Sequence, residues 1–121
     1  MALRVMKKLQ NHLIGVDQGE IVLFSDFETD GPMWSGDGHR SLRRQVEFSS
    51  AYRSAPMVQC WLSMVDISNT TNCRTDVQAE DISETGFAIV FQTWGDTKIA
   101  RVRVAWQSIG EVPHDDDWDV V

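Results

Sequence analysis

The strongest indication of the fold is the segment TWGDTKIARVRVAWQSIG, residues 93–110. Its second half alternates apolar and polar residues with a period of two, which indicates a long β-strand with one face against a core. Gly95-Asp96 is typical of the tight turn of a hairpin, and a large aromatic residue, Trp94, stands beside that turn. The core face is predicted to carry Ala100, Val102, Val104 and Trp106, and the opposite face Arg101, Arg103 and Gln107.

Four other segments are predicted to be strands. MVQCWLSMV (57–65) alternates apolar and mixed residues, whereas GFAIVFQTW (86–94) is apolar on both faces, as in a strand covered on each side. GEIVLFSDF (19–27) and RRQVEFSSAY (43–52) complete the set, and residues typical of turns separate the segments. Only RVMKKLQNHL (4–13) could be helical, and it is too short to be stable without packing. Five or six strands with hairpin spacing predict an antiparallel β-sandwich or barrel.

Length and charge exclude several functions. The chain has 121 residues, which fits one domain, and a net charge of −7, which argues against binding nucleic acid. No apolar run approaches the roughly 20 residues of a membrane span, so membrane insertion is not expected. The N-terminus lacks an uninterrupted apolar region and a cleavage site of small residues. We therefore expect cytoplasmic synthesis, with release by lysis or within a particle if the target lies outside.

The two cysteines are expected to be free thiols. If residues 66–71 form a hairpin turn, Cys60 faces about residue 77 and Cys73 faces about residue 64, which keeps the sulfur atoms apart. Free thiols are typical of a reducing compartment. Because Cys60 lies on an apolar strand face, a buried structural role is favoured over a reactive one.

The sequence offers no convincing catalytic or metal constellation. His12, His39 and His114 have no metal-ligand spacing, and no serine lies in a nucleophile elbow. The acidic C-terminal run, Asp115 to Asp117 with Asp119, is most simply a solvated tail and a weak metal signal. We therefore expect no enzyme activity, no cofactor and no metal.

Recognition of a sugar is better supported. Planar hydrogen-bonding groups engage adjacent hydroxyls, and an aromatic face packs against the apolar side of the ring. Asp37, Arg74 and Trp94 supply these groups on predicted turns. Each has a purely structural alternative: a local turn beside Gly38 for the carboxylate, an ion pair for the arginine, and burial in the core for the tryptophan.

The C-terminal half resembles the H-type lectin domain, found in the snail agglutinins that recognise N-acetylgalactosamine and in the C-terminal domain of slime-mould discoidins. The resemblance is carried by CRTDVQAEDISETGF (73–87) followed by TWGDTKIARVRVAWQSIG (93–110). VEFSSAYRSAPMVQCWLSMVDI (46–67) is similar to the preceding family element. The likeness covers about residues 17–110, leaving 1–16 as an N-terminal segment and 111–121 as an acidic tail. FSDFETDGPMWSGDGHR (24–40) has the style of a bacterial or phage-borne branch.

The resemblance implies a six-stranded antiparallel β-sandwich that assembles as a trimer, or as a hexamer of two stacked trimers, with sugar sites between protomers. Matched positions place the sugar-binding carboxylate at Asp37 and the arginine at Arg74. The aromatic wall of the pocket would be Trp94. Ser35 lies close to the carboxylate, and Gly95 and Asp96 continue the turn after the tryptophan.

Two departures from the family pattern bear on specificity. Gly95 stands where the animal lectins carry a histidine that bonds the sugar, and Ala100 stands where they carry an aromatic. The pocket is therefore expected to be wider and poorer in donors, with Trp34 or Asp96 offsetting part of the loss. A preference for N-acetylgalactosamine is not carried over.

These observations predict a multivalent lectin for a galactose, N-acetylgalactosamine-type or related surface glycan. The alternative is a structural module, such as a trimeric spike or fibre component of a phage-like particle, that docks a protein partner. Arg101 and Arg103 either face neighbouring protomers, where they meet carboxylates, or are solvated strand residues.

Overall fold

The computed structural model describes residues 4–10 and 12–114. Within them, six strands form two three-stranded antiparallel sheets, with strand orders β1-β6-β3 (the first sheet) and β2-β5-β4 (the second sheet). The predicted six-stranded antiparallel β-sandwich is confirmed. The elements are β1 (Ile14–Ser25), α1 (Asp26–Thr29), α2 (Pro32–Ser35), β2 (Arg40–Glu47), β3 (Met57–Ile67), β4 (Thr75–Glu80), β5 (Gly86–Thr93) and β6 (Ile99–Glu111).

The central strands β5 and β6 supply most of the core. The predicted inner face of β6 is confirmed, because Val102, Val104 and Trp106 are all buried. Strand β5 is covered on both faces as its sequence indicated, since even Ala88, between two core residues, is fully buried. Aromatic rings stack through the centre, with those of Phe48 and Phe87 centred 5.8 Å apart. Strongly apolar segments therefore occupy the middle of each sheet, where they lose most contact with water.

The predicted hairpin between β3 and β4 is wrong. β3 pairs with β6 and β4 pairs with β5, so residues 68–74 carry the chain from one sheet to the other. Cys60 therefore faces Trp106 in its own sheet. Alternation predicts which face of a strand is buried, but it does not select the partner strand, and a loop of this length fits either connection. Both cysteines are free, as expected.

The N-terminal segment forms no regular secondary structure over the described residues 4–10 and 12–13, so it is not helical there. The backbone amide of Gln10 donates to Glu111 Oε1 over 3.1 Å, and Lys7 Nζ donates to the carbonyl of Ala55. These contacts satisfy polar groups of the segment. A helix of this length would be only marginally stable by itself. The only helices among the described residues are the four-residue α1 and α2. α1 begins at Asp26, inside the segment 19–27 that was predicted to be a strand, so that strand ends earlier than predicted. No described helix is long and apolar enough to cross a membrane.

The outward faces of the two sheets differ in character. The outward face of β2 is polar, with Ser41, Arg43, Gln45 and Glu47 exposed. The outward face of the first sheet, which we call the apolar face, has exposed large hydrophobic residues on both outer strands. They are Ile14, Val16 and Val22 on β1, and Met57 and Trp61 on β3.

The two strand arginines lie on this apolar face. Arg101 Nε is 3.3 Å from Asp66 Oδ2, and Arg103 Nε is 3.6 Å from Glu20 Oε2. Arg103 Nε also donates to Ser63 Oγ over 3.0 Å. Both arginines therefore meet carboxylates within one protomer, so the apolar face carries balanced charge along its centre.

Candidate functional site

The predicted site residues come together at one end of the sandwich, where three connections meet. These are the α2–β2 loop with Asp37, the β3–β4 crossover that ends at Arg74, and the β5–β6 turn that begins at Trp94. The amide of Gly38 donates to the carbonyl of Gly95 over 2.9 Å, which joins the first loop to the turn. A Cβ atom on Gly95 would lie 3.3 Å from Arg74 Nε, so the crossover adjoins the same turn.

The β5–β6 turn presents Trp94 to solvent. Gly95 has φ of +71°, a left-handed conformation that side chains rarely adopt, and it turns the chain directly after the tryptophan. Trp94 is 42% exposed, so its alternative as a core residue is excluded. An exposed indole on a tight turn offers a rigid apolar platform beside polar groups.

Two buried threonines fix this turn against the crossover. The hydroxyl of Thr93 donates to the carbonyl of Arg74 over 2.6 Å, and that of Thr97 donates to the carbonyl of Asn72 over 2.7 Å. Thr97 Oγ1 also accepts a hydrogen bond from the amide of Arg74 over 3.1 Å. Both threonines are fully buried, so these bonds are shielded from water. The sequence analysis missed them, although TWGDT places a threonine on each side of the turn.

Arg74 is exposed, and its guanidinium makes no hydrogen bond or ion pair within residues 4–10 and 12–114. The alternative that it serves a structural ion pair therefore fails for this part of the chain. Its main chain is held by the two threonines while its side chain keeps all its donors. This arrangement leaves a positioned cation beside Trp94 for a ligand.

Asp37 is exposed and only half engaged. Its Oδ1 accepts a hydrogen bond from the amide of Gly38 over 2.9 Å, which is the local contact expected of the turn alternative. Among the described residues no partner engages Oδ2. One carboxylate oxygen thus orients the side chain and the other remains open to a ligand hydroxyl.

The side chains of Ser35 and Asp96 are already engaged in hydrogen bonds within the protein. Ser35 Oγ donates to the carbonyls of Asp30, at 2.8 Å, and Gly31, at 2.9 Å, so its proton is used within its own loop. Asp96 Oδ1 accepts from Asn72 Nδ2 over 3.2 Å. What these two side chains can still offer a ligand is therefore an acceptor oxygen.

Ala100 is buried at the start of β6. Ala100 lines a cavity of about 180 Å³ together with Phe27, Glu28 and Arg101. Phe27 is exposed, and Trp34 packs edge-to-face on it with ring centres 5.0 Å apart. Trp34 is thus engaged with Phe27, on the segment that leads to Asp37.

Arg40 is the main element of the site that the sequence analysis missed. It is buried, and within the described residues its guanidinium donates to four main-chain carbonyls, those of Gly38 at 2.9 Å, Met33 at 3.2 Å, Gly95 at 3.3 Å and Pro32 at 3.4 Å. One side chain therefore links α2, the Asp37 loop and the Trp94 turn. The planar fork of five donors allows several carbonyls to be bonded at once.

Other chemistry is sparse. Within the described parts of the chain, no group of three or more His, Cys, Asp or Glu side chains is arranged to hold a metal ion. Burial, and secondarily the charge of Asp76, raises the pKa of the Cys60 thiol above its usual value of 9.0. Cys60 packs against the core, so it is a protonated structural thiol at neutral pH.

Sequence comparison identifies a family. The profile of the H-type lectin domain matches residues 43–109. The chain is 50% identical over 107 residues to the "ATP synthase subunits region ORF 7" protein of Fuscovulum blasticum, covering 88% of this chain and 93% of that protein. It is 31% identical over 70 residues to a discoidin-1 polypeptide of Dictyostelium discoideum, covering 57% of this chain and 28% of that protein. Arg74, Trp94, Gly95 and Asp96 lie inside the matched range, whereas Ser35 and Asp37 precede it.

Solved structures show the same fold. Discoidin II of Dictyostelium discoideum superposes with a TM-score of 0.71 at 24% identity, covering 88% of this chain and 40% of discoidin II. The tailspike protein gp49 of Pseudomonas phage LKA1 superposes with a TM-score of 0.52 at 16% identity, covering 83% of this chain and 15% of the tailspike. The chain thus spans less than half of each discoidin, and these superpositions concern the fold alone.

Proposed function

Because the chain belongs to the H-type lectin domain family, a family of carbohydrate-binding domains, we propose that it binds a glycan through Asp37, Arg74 and Trp94. The single observation that supports this site most strongly is the convergence of three exposed groups at one end of the sandwich. Arg74 is held by its main chain and Asp37 by one carboxylate oxygen, while the Arg74 guanidinium and Asp37 Oδ2 have no partner among the described residues.

The three side chains have complementary roles in this proposal. Asp37 Oδ2 accepts a hydrogen bond from a sugar hydroxyl, and the Arg74 guanidinium donates to adjacent ring or hydroxyl oxygens. Trp94 packs against the apolar C–H face of the sugar ring. Ser35, Gly95 and Asp96 line the site at its edges. A charged donor and a charged acceptor on preordered loops give stronger hydrogen bonds than neutral groups, at little ordering cost.

We propose further that the chain is a homotrimer, or a hexamer of stacked trimers, with each site completed by a neighbouring protomer. Two features support this. The site groups are exposed on one protomer, as expected of a partial site, and the apolar face carries five exposed large hydrophobic residues. Val16 and Met57 flank Ile109 across the first sheet, and grouped exposed hydrophobic residues of this kind are typical of a protein interface. Three weak sites on one assembly would bind a repeated surface glycan by avidity.

The sugar class that we propose is galactose, N-acetylgalactosamine or a related sugar. Gly95 carries no side-chain donor after Trp94, and Ala100 carries no aromatic ring. The proposed class of sugar follows from the family, and Gly95 and Ala100 are the positions at which this chain departs from the family pattern.

A glycan array on the tag-free protein tests the proposal, with mass in solution measured by light scattering. Asp37→Asn and Arg74→Ala are expected to abolish glycan binding and leave the oligomer intact. The matched controls are Asp81→Asn and Arg43→Ala, an exposed acid and base that pair with each other away from the site. Wild-type binding by both site variants would show that the sugar lies elsewhere.

The alternative, a spike or fibre module that docks a protein, stays open for a specific reason. The fold is shared with a phage tailspike over 83% of this chain, although at low identity. A folded oligomer that binds no glycan on the array but co-purifies with particle proteins would favour this second function.

A further inference from the structure

Two histidines that are distant in the sequence meet at the other end of the sandwich. His12 precedes β1 and His114 follows β6. These strands are antiparallel, with Ile14 opposite Glu111, so the two flanking segments run side by side. The amide of Val112 donates to the carbonyl of Leu13 over 3.2 Å and extends the pairing beyond the strands. As a result, His12 Nε2 lies 2.9 Å from His114 Nε2, and without a metal ion the two imidazoles share a hydrogen bond.

The geometry of the pair suits two neighbouring positions around a metal ion. Two imidazole nitrogens that each lie about 2.05 Å from an ion and meet at a right angle are about 2.9 Å apart. A tetrahedral ion would hold them about 3.3 Å apart. The observed separation is 2.9 Å, and the rings meet at 69° with centres 4.0 Å apart, so they are steeply inclined to each other. Right-angled nitrogen ligation is typical of Ni²⁺ and Cu²⁺.

We propose that His12 and His114 bind one late first-row divalent cation, of the Ni²⁺ or Cu²⁺ type, through their Nε2 atoms. Nothing in the proposed glycan function requires this site, which lies at the opposite end of the sandwich. Glu111 is nearby but engaged, because Oε1 accepts from Gln10 and Oε2 is 3.6 Å from Arg53 NH1. Water can fill the remaining coordination positions.

An ion at this position would fasten the N-terminal segment to the end of β6. Among the described residues, that segment also makes polar contacts between Lys7 and Ala55 and between Gln10 and Glu111. Since a ligand that binds only the folded chain stabilises it, Ni²⁺ is expected to raise the unfolding temperature. The site would therefore act as a metal-dependent clasp between the two chain ends.

Calorimetric titration of the tag-free protein with NiCl₂ tests the proposal. One ion per chain is expected, and His12→Ala and His114→Ala should each weaken binding at least about tenfold, since even outer partners of a metal site commonly contribute 10–100-fold. His39→Ala is the matched control, because His39 bonds Gln92 Oε1 on the second sheet. Its affinity for Ni²⁺ and its rise in unfolding temperature with Ni²⁺ should equal those of the wild type.

A second measurement identifies the ligands directly. Electron paramagnetic resonance of the protein with one equivalent of Cu²⁺ should show coupling to two nitrogen nuclei, which each single variant reduces to one. Undiminished Ni²⁺ binding by the His12→Ala, His114→Ala double variant would overturn the proposal and assign the ion to carboxylates or to Cys73. Absence of Ni²⁺ binding by the wild type would overturn it as well. All variants change partly or fully exposed side chains, so circular dichroism should confirm that they remain folded.

Discussion

Replacing Arg40 by methionine should disrupt the candidate site without touching any group proposed to contact sugar. Methionine keeps a long apolar stem in place of the arginine stem and removes all five donors. The carbonyls of Gly38, Met33, Gly95 and Pro32 would then lose their shared partner. Because Arg40 is buried, water can replace only part of what is lost. The carbonyls of Gly95 and Pro32 keep hydrogen bonds from the amides of Gly38 and Gly36, so the Asp37 loop and the Trp94 turn should become mobile rather than separate.

The size of the effect follows from the number and burial of these bonds. Leaving one buried polar group unpaired costs about 1–3 kcal/mol, and bonds to a charged donor lie at the upper end. The contributions of the four carbonyls are not additive, because the loops can relax together. We therefore expect the free energy of unfolding to fall by about 3 kcal/mol. For a chain of this size that corresponds to a fall of roughly 10–15 °C in the unfolding temperature.

The assay is thermal and denaturant unfolding combined with glycan binding, and Arg43→Met is the control. Arg43 lies on the same strand but is exposed, pairing with Asp81 and, at 3.6 Å, with Glu80. Loss of such an exposed pair should change stability by less than about 1 kcal/mol. Arg40→Met should also bind glycan at least about tenfold more weakly, because its loops carry Asp37 and Trp94. If Arg40→Met is as stable as Arg43→Met, the carbonyl contacts are not structural and the reasoning is refuted.

Three further outcomes are expected. Trp94→Ala should abolish glycan binding but change the free energy of unfolding by less than about 1 kcal/mol, because the indole is 42% exposed. A large loss of stability would show that Trp94 is a core residue. Trp61→Glu, in the middle of the apolar face, should convert the oligomer to a folded monomer in light scattering, whereas an unchanged mass would place the interface elsewhere. An alkylating reagent at pH 8 should label the exposed Cys73 first, because burial raises the pKa of Cys60. Since the folded state holds the Cys60 proton more tightly than the unfolded state, the free energy of unfolding should fall as pH rises above about 9, and this fall should be smaller in Cys60→Val. Equal alkylation rates of Cys60 and Cys73 would contradict this account.

Much of the fold could be predicted from local alternation. A period of two identified the inner face of β6, because one side of that strand faces the core and the other faces water. Strand β5 was predicted to be covered on both faces because its residues are apolar on both. The same pattern could not show that β3 and β4 belong to different sheets. Which strands pair with each other depends on how the apolar faces of the two sheets pack together, and this is a property of the whole chain. The helical potential of residues 4–13 was likewise overridden by contacts with residues 55 and 111.

The candidate site divides in the same way. The sequence by itself determined the family and nominated Asp37, Arg74 and Trp94, because exposed polar and aromatic residues on predicted turns form a local pattern. Only the tertiary structure decided that the alternatives for Arg74 and Trp94 fail, and that Arg40 joins their loops through carbonyls that no motif records. It also brought His12 to His114 across 102 positions of sequence. Side chains on loops can be nominated locally, but their partners depend on which distant segments the two closed sheets place side by side.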